Sequence, residues 1–456
     1  RGGEGEGRGG RRPGRGLMTA PTTPGLNIDD ELSKKLKFVL MAVLIYRVGA
    51  HIAAPMVDVV ALSTAIQSSA SAGLFQLYDA LGGNLQKAAI FALGIMPYIS
   101  ASIVFQLGAG VVPTLSKMQK DEEGRKQITQ WTRYLTVAIA LAQAYTFTLF
   151  VESIPGAVPE IGMLSRFVMV ATLTTGAIFV MWLGEQITER GIGNGMSLLI
   201  AVSILERLWP SLLQLVGFVK DGVVSFLGAS TFLVVLVAMV AGVVAMTLAS
   251  RKIPIQIPRK VMGRGRIREG QKTFIPIRLI TAGVMPIIFA QTVILVPTTA
   301  ARFSSSEMMT EFANFLAPDT TAYSLIFALL IVVFSYFYTS IIFNSVELAE
   351  NLKKQGAFIP GVKPGSATAD YIDGVLGRIT LPGSLFLAFI AIVPIIVAGA
   401  LGVSQFSLGG TSILIVVGVM LDTIAQIEQH RTLRKYDGFM KSGRIKYRGR
   451  SSRFGM

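Results

Sequence analysis

The sequence predicts an all-α polytopic membrane protein in which ten transmembrane helices form two inverted-topology halves of five. Three observations predict this fold: the composition, ten apolar windows and an internal repeat. Of the 456 residues, 52% are hydrophobic and 15% are charged, whereas about a quarter of an ordinary soluble domain is charged. The chain has no cysteine, and its two histidines, His51 and His430, lie far apart. Disulfides and thiolate metal sites are therefore excluded, and we predict no metal, no cofactor and no catalytic residue.

Ten windows of the chain are apolar over a length that crosses about 30 Å of hydrocarbon, which takes about 20 helical residues. Their apolar residues do not follow an amphipathic stripe of period 3.6, so these windows indicate membrane helices rather than helices of a soluble core. An even number of spans places both termini on one side. The windows lie at about residues 38–55, 88–110, 134–151, 164–184, 196–216, 228–249, 277–297, 323–343, 379–401 and 411–427.

The lysines and arginines orient these spans. When the loops are assigned to alternate sides, all but six of the 42 basic residues fall on the side of the N-terminus. Because membrane proteins keep basic loops in the cytoplasm, we expect both termini to be cytoplasmic. The six exceptions are Arg47, Lys87, Arg166, Arg207, Lys220 and Arg302. Only Arg47 lies well within a span. An ionisable side chain there is either functional, or it is accommodated by extending its charged end to the membrane surface or by pairing with another group.

An internal repeat divides the chain. The pattern G-[IV]-M-P-x-I occurs at Gly94–Ile99 in the second span and at Gly283–Ile288 in the seventh. Five spans separate the two copies, so they cross the membrane in opposite directions, as in inverted-topology repeats. In such folds the functional path lies between the halves, and Pro-interrupted helices mark it. The second and seventh spans, with Pro97 and Pro286, are therefore predicted to face each other, unless the match is a coincidence between two apolar strings.

The stretch from about residue 58 to 86 is semi-polar with a short apolar core. It is too short to span the membrane. Two interpretations remain equal on the sequence alone: a re-entrant segment, or an external amphipathic helix lying on the membrane. The apolar core contains Leu74, Phe75, Leu77, Tyr78 and Leu81.

Two long loops on the basic side, residues 251–278 and 346–376, are predicted to bind a partner. The first has nine basic residues and the alternating string IPIQIP, which predicts an exposed hairpin-like projection. Anionic lipid is one acidic partner, but a 28-residue excursion favours ribosomal RNA or an acidic protein. The predicted docking residues are Arg259, Lys260, Arg264, Arg266, Arg268, Lys353, Lys354 and Lys363.

Both ends of the chain are polar. Residues 1–25 are rich in Arg, Gly and Pro, so we expect a disordered tail. It is interpreted as a linker, as sequence upstream of a natural start at Met18, or as an RNA-binding segment. Residues 428–456 are predicted to form a basic cytoplasmic tail.

Four strings then suggest a family. MWLGEQITERGIGNGMS at 181–197, FALGIMPYISASI at 91–103, NLKKQGAFIPGVKPG from Asn351 and LGGTSILIVVGVMLD from Leu408 resemble the SecY family of protein translocation channels. The resemblance extends from Leu26 to about Tyr447 and excludes the first 25 residues. It implies a clamshell of residues 26–220 and 221–427, closed by an aliphatic ring and by a re-entrant plug at about residues 73–83. The implied ring residues are Ile95, Ile99, Met196, Ile200, Ile288 and Ile415.

The resemblance also implies how the channel works. The clamshell opens sideways between the second and third spans and the seventh and eighth, releasing transmembrane segments into lipid. Small polar side chains, Ser100, Ser102 and Thr281, are candidates for a reversible contact at this lateral gate, beside Pro97 and Pro286. The implied partners are the small SecE and SecG subunits, the SecA motor, the ribosome, unfolded polypeptides with signal sequences and the lipid bilayer. The implied location is the bacterial plasma membrane.

Two positions depart from the family pattern. Met196 stands where Ile is usual, and its flexible side chain is expected to loosen the seal. Lys363 stands where Arg is usual, so bidentate hydrogen bonding is lost. No phosphate-binding GxxxxGK[ST] loop occurs, so we expect a passive channel, not an enzyme, with nucleotide hydrolysis in a partner. The alternatives are an ion-coupled secondary transporter with inverted repeats and an RNA-binding membrane anchor.

Overall fold

The computed structural model describes residues 28–68, 83, 85–159, 161–257, 260–262, 266–268, 272–302, 307–317, 320–400 and 410–442. Helices of the first half are α1 (Ile28–Gly49), α2 (Val59–Ser68), α3 (Met96–Val111), α4 (Pro113–Lys120), α5 (Glu122–Glu152), α6 (Met163–Arg190) and α7 (Gly195–Lys220). The second half has α8 (Phe226–Leu248), α9 (Met285–Arg302), α10 (Glu307–Phe315), α11 (Thr321–Ile342), α12 (Ser345–Lys354), α13 (Ser366–Ala400) and α14 (Gly410–Ser442). Strands β1 (Ser250–Gln256), β2 (Lys260–Met262), β3 (Arg266–Arg268) and β4 (Lys272–Arg278) lie between α8 and α9.

Each of the ten predicted windows overlaps one long helix: α1, α3, α5, α6, α7, α8, α9, α11, α13 or α14. Within the described residues, seven helices are long and apolar enough to cross a membrane, or eight if α3 and α4, which meet at 108°, form one bent span. The predicted all-α polytopic fold is therefore confirmed, and five of the ten long helices lie before Asp221 and five after it.

The repeated G-[IV]-M-P pattern is a helix start in both halves. Gly94 has φ 53° and Gly283 has φ 60°, a left-handed conformation that glycine adopts without steric cost. Helices α3 and α9 begin two residues later, and Pro97 occupies the first turn of α3, where its missing N–H costs nothing. The prediction that these prolines interrupt the helices is wrong. They begin the helices, which is why α3 starts at residue 96 and not at residue 88.

The packed interior spans both halves. A continuous cluster of buried apolar side chains includes Leu93, Leu173 and Leu199 from the first half and Ile287, Phe327 and Leu414 from the second. Helix α3 packs against α5 and α9, α9 against α11, and α7 against α14. Since lipid is as apolar as these side chains, close packing rather than hydrophobic burial must hold the helices together. At Gly195, for example, a Cβ atom would lie 2.0 Å from the carbonyl oxygen of Gly184.

The first basic loop is a β-hairpin, as the alternating pattern predicted. Strand β1 pairs antiparallel with β4, and Ser250 faces Arg278 at the base of the hairpin. Farther out, β2 pairs with β3, and Lys260 faces Arg268. The apolar positions of the alternation, Ile253 and Ile255, are buried and turn the hairpin towards the second loop.

Candidate functional site

The six residues of the predicted ring are all buried and belong to one cluster. Ile95 precedes the first residue of α3, and Ile99 lies one turn later, its N–H donating to the Ile95 carbonyl over 3.1 Å. Helix starts therefore place these side chains. Met196 and Ile288 likewise lie in the first turns of α7 and α9, while Ile200 and Ile415 lie farther along α7 and α14.

A local cap fixes the start of α7. The Asn194 side-chain oxygen accepts from the Met196 N–H at 3.1 Å, as helix N-caps do. The Thr188 hydroxyl accepts from the Gly195 N–H at 2.9 Å and donates to the Gly184 carbonyl at 2.9 Å. These bonds join the end of α6 to the start of α7 and hold Met196 in place, which gives a physical role to the string LGEQITERGIGNGMS.

A cavity of about 380 Å³ lies between the two halves. Its apolar lining includes Ile99, Met196, Ile200 and Ile288, four of the six ring residues. Its polar lining comes mainly from the first half and consists of Tyr98, Ser102, Gln106, Thr129, Arg133, Glu185, Thr188, Glu189, Asn194 and Ser197, with Tyr338 from the second half. The cavity thus joins charged groups at one end to the apolar ring.

Ion pairs mark the basic side of the bundle. Arg133 donates from Nε to Glu185 Oε1 at 2.8 Å, joining α5 to α6 at the cavity wall. A second cavity of about 370 Å³ is lined by residues of α7, α8, α9, α11, α13 and α14. There Arg278 Nη1 lies 3.5 Å from Asp422 Oδ1.

Helices α3 and α9 pack against each other, so the second and seventh spans meet as the repeat predicted. The proposed hydroxyl contacts between them are absent among the described residues. The Ser100 hydroxyl donates to the Met96 carbonyl at 3.0 Å, and Ser102 accepts from Gln106 at 2.7 Å, both within α3. Thr281 lies before α9 and donates to the Arg278 carbonyl at 2.9 Å. Short side chains bond more readily to their own helix than across an interface.

The two basic loops form one surface. Gln256 and Phe358 exchange backbone hydrogen bonds of 2.9 and 3.0 Å, and Ile253 packs with Ile359 and Ile372. Lys353 and Lys354 occupy the last turn of α12, and Lys363 is exposed. Lys260, Arg266 and Arg268 lie in β2 and β3, whereas Arg259 and Arg264 lie outside the described residues.

Comparison with known proteins assigns the family. The family model for SecY matches residues 89–424. Protein translocase subunit SecY of Streptomyces griseus is 43% identical over 430 residues, covering 90% of this chain and 97% of the relative. Its counterpart in Thermus thermophilus is 39% identical over 430 residues, covering 92% and 97%. This chain belongs to the SecY family.

The fold agrees with that of solved SecY-type channels. A structure described as "The structure of a protein conducting channel" has a TM-score of 0.64 at 16% identity, covering 91% of this chain and 95% of its own. Sec61 in a canine ribosome-channel complex has a TM-score of 0.60 at 16% identity, with the same coverage. This SecY-family chain is a multi-pass membrane protein that forms a protein-conducting translocation channel, and the transporter alternative is not favoured.

The structure also shows charged contacts that the sequence did not predict. On the side away from the hairpin, Glu206 of α7 pairs with Arg47, lies 3.3 Å from Lys87 and lies 3.5 Å from His51. Arg47, one of the basic exceptions, therefore pairs with a carboxylate. A glutamate within an apolar window was the signal available in the sequence.

Three further polar side chains lie in or beside the spans. Arg166 donates to Glu152 at 2.8 Å, and Arg207 donates to the Gly83 carbonyl at 3.1 Å. Gln291 of α9 is 2% exposed, and neither its side-chain oxygen nor its nitrogen has a hydrogen-bond partner among the described residues.

The predicted plug residues Leu74, Phe75, Leu77, Tyr78 and Leu81 lie outside the described residues.

Proposed function

We propose that unfolded polypeptides cross this SecY-family channel through the ring of Ile95, Ile99, Met196, Ile200, Ile288 and Ile415. The observation that carries the proposal is the cavity between the halves, whose lining includes four of these side chains. A narrow aliphatic constriction excludes water and ions when it is closed. It also forms no strong bond with a passing side chain, so a polypeptide of any sequence can pass through it.

We further propose that α3 and α9 form the lateral gate. A signal sequence contains an apolar segment of about 7–15 residues, which must reach lipid without crossing water. Separation of α3 from α9 gives it a sideways exit. Pro97 and Pro286 lie in the first turns of these two helices. The same turns carry the ring residues Ile99 and Ile288.

The segment at residues 73–83 is proposed as a plug on the side of the ring away from the hairpin. Two facts support this assignment. The Arg207–Gly83 bond fixes the last residue of this segment to α7, and the Lys87–Glu206 pair fixes the chain just after it. A solved neighbour with a TM-score of 0.64 is described as having a plug domain that stabilises the closed state.

The partners and location follow from the charge distribution and the family. Both termini and the hairpin are proposed to lie in the cytoplasm of a bacterium, because basic loops are retained there. The hairpin and second loop are proposed to bind the ribosome and the SecA motor, whose nucleotide hydrolysis would drive transport. SecE and SecG are proposed as small membrane subunits. Solved neighbours described as Sec61 and Ssh1 complexes with ribosomes support the ribosome as a partner.

A conductance measurement tests the ring. Replacing Ile99 and Ile288 with Ser places hydroxyls in the cavity lining, so the resting channel in a planar bilayer should pass ions that the wild type excludes. Ile331→Ser is the matched control, because Ile331 is buried in the same cluster and lines neither cavity. Unchanged resting conductance in the folded double variant, or an equal leak in the control, would contradict the ring assignment.

A further inference from the structure

Helix α10 has three distinct faces. Met308, Phe312 and Phe315 are 76%, 45% and 57% exposed and recur at a helical spacing of four and three residues, which puts them on one stripe. Ala313 and Leu316 are buried and hold the helix against the protein, mainly against α9. Glu311 and Asn314 are exposed and lie on the opposite flank of the stripe. One flank therefore contacts protein, one is polar, and an apolar stripe between them has no protein cover among the described residues.

The hydrogen bonds at the end of α10 set its depth. The Thr320 hydroxyl donates to the Phe315 carbonyl at 3.0 Å and to the Ala317 carbonyl at 2.8 Å. The same oxygen caps α11 by accepting from the Tyr323 N–H at 3.1 Å. The end of α10 is thus fixed to the residue that caps a membrane span, on the side away from the hairpin.

The apolar surface of α11 begins directly below this point. Leu325, Leu329 and Val333 are 67%, 61% and 51% exposed and form an outward stripe, as on a lipid-facing helix. Leu325 is four residues after Thr321, which at 1.5 Å per residue is about 6 Å along the helix axis. An amphipathic helix in the interface buries its apolar face about 5–10 Å into the headgroup and acyl boundary. The apolar stripe of α10 therefore lies at interfacial depth.

We propose that α10 is a membrane-interface helix, and that Met308, Phe312 and Phe315 insert into the leaflet opposite the hairpin. The occupant of this surface is the lipid itself, at the boundary of headgroups and acyl chains. Glu311 and Asn314 face water, and the absence of a basic residue in α10 fits zwitterionic rather than anionic headgroups. Because α10 packs on α9, lipid contact also anchors the outer end of that helix.

Fluorescence quenching tests the proposal, and the lack of native cysteine allows one labelled position at a time. Phe312→Cys and Asn314→Cys, each carrying an environment-sensitive nitrobenzoxadiazole probe, are compared in the full chain in phosphatidylcholine nanodiscs. The Phe312 probe should emit at shorter wavelength and be quenched by doxyl-labelled lipid. The Asn314 probe should be quenched several times more strongly by aqueous iodide. Met308→Cys, at the most exposed of the three apolar positions, serves as a second variant if Phe312→Cys does not fold.

The other outcomes would overturn the proposal. Equal iodide quenching at the apolar and polar positions would mean that the stripe faces water. Protection of the apolar position from both quenchers would mean that a protein covers it. Quenching by doxyl lipid only when anionic lipid is included would contradict the headgroup assignment.

Discussion

At the scale of single residues, the channel combines satisfied and unsatisfied polar groups inside the membrane. The hydroxyls of Ser100 and Thr292 donate to carbonyls one turn earlier, at 3.0 and 2.7 Å, so their burial costs little. The amide of Gln291 has no such bond among the described residues. A buried polar group without a partner costs about 1–3 kcal/mol. This cost falls on the folded arrangement, in which α9 packs against α3.

Gln291→Leu should therefore stabilise the folded channel by about 1–3 kcal/mol, because leucine has a similar volume and no polar atom to satisfy. The measurement is the midpoint of thermal unfolding in detergent, together with the free energy of unfolding in denaturant. Thr292→Val is the matched neighbour: its hydroxyl is already bonded, so the substitution should change stability little. A clear loss of stability in Gln291→Leu would show that the amide has a partner in the assembled protein.

At the scale of elements, the sequence predicted type and order better than boundaries. Every apolar window overlaps a helix because about 20 consecutive apolar residues have few alternatives in a membrane. The starts of α3 and α9 were misplaced because residues 88–95 and 279–284 are as apolar as a helix yet form turns, with Gly94 and Gly283 at positive φ. Apolarity reports the environment of a residue and not its backbone conformation.

The candidate site was predictable to different degrees. The G-[IV]-M-P repeat pointed to the packing of α3 on α9, because inverted halves meet at equivalent elements. The cluster around Glu206 was missed, since its members lie far apart in the sequence and only tertiary structure brings them together. The hydroxyls of Ser100 and Ser102 were placed on the correct helix, but their bonding was not, because a hydroxyl can reach its own backbone as well as a neighbour. Helix α10 was not predicted, since its nine residues are too short for a span.

The basic residues of the hairpin are predicted to contribute to partner docking. Reversing Arg266 and Arg268 to Glu should weaken binding of ribosomes or of SecA, and more strongly at low salt, because electrostatic attraction to an acidic partner is screened over about 10 Å at 0.1 M. Arg268→Glu places a carboxylate opposite Lys260, a favourable cross-strand pair, so the hairpin itself should persist. Cosedimentation with ribosomes and affinity measurement with SecA at two salt concentrations give the readout.

The control for this change is Lys34→Glu with Lys37→Glu, which alters the net charge equally at two exposed positions of α1. Binding should be nearly unaffected in that variant. Equal weakening in both variants would indicate a general charge effect, and wild-type binding in the hairpin variant would contradict the docking assignment.

At the scale of the whole molecule, the two halves contact each other through two groups of helices and enclose a cavity between them. Helices α7 and α14 pack along the back of the cavity, and α7 also contacts α8, the first helix of the second half. Across the front, α3 meets α9 over a smaller set of residues. Between the halves lies the cavity lined by the ring residues. We propose that the clamshell opens at the smaller contact between α3 and α9 while α7 and α14 stay packed, so that neither half unfolds.

Cysteine crosslinking tests this opening. Pairs of cysteines at facing positions of α3 and α9, introduced into a chain that has none, should form disulfides in the resting channel where the Cα atoms lie about 4.4–6.8 Å apart. Because the lateral exit requires these helices to separate, secretion and membrane insertion should stop in the crosslinked protein and resume after reduction. The control pair joins α5 to α6, which pack within the first half, and its disulfide should leave transport unchanged. Normal insertion with the α3–α9 crosslink complete would exclude the lateral gate and require a pore that opens only along its axis.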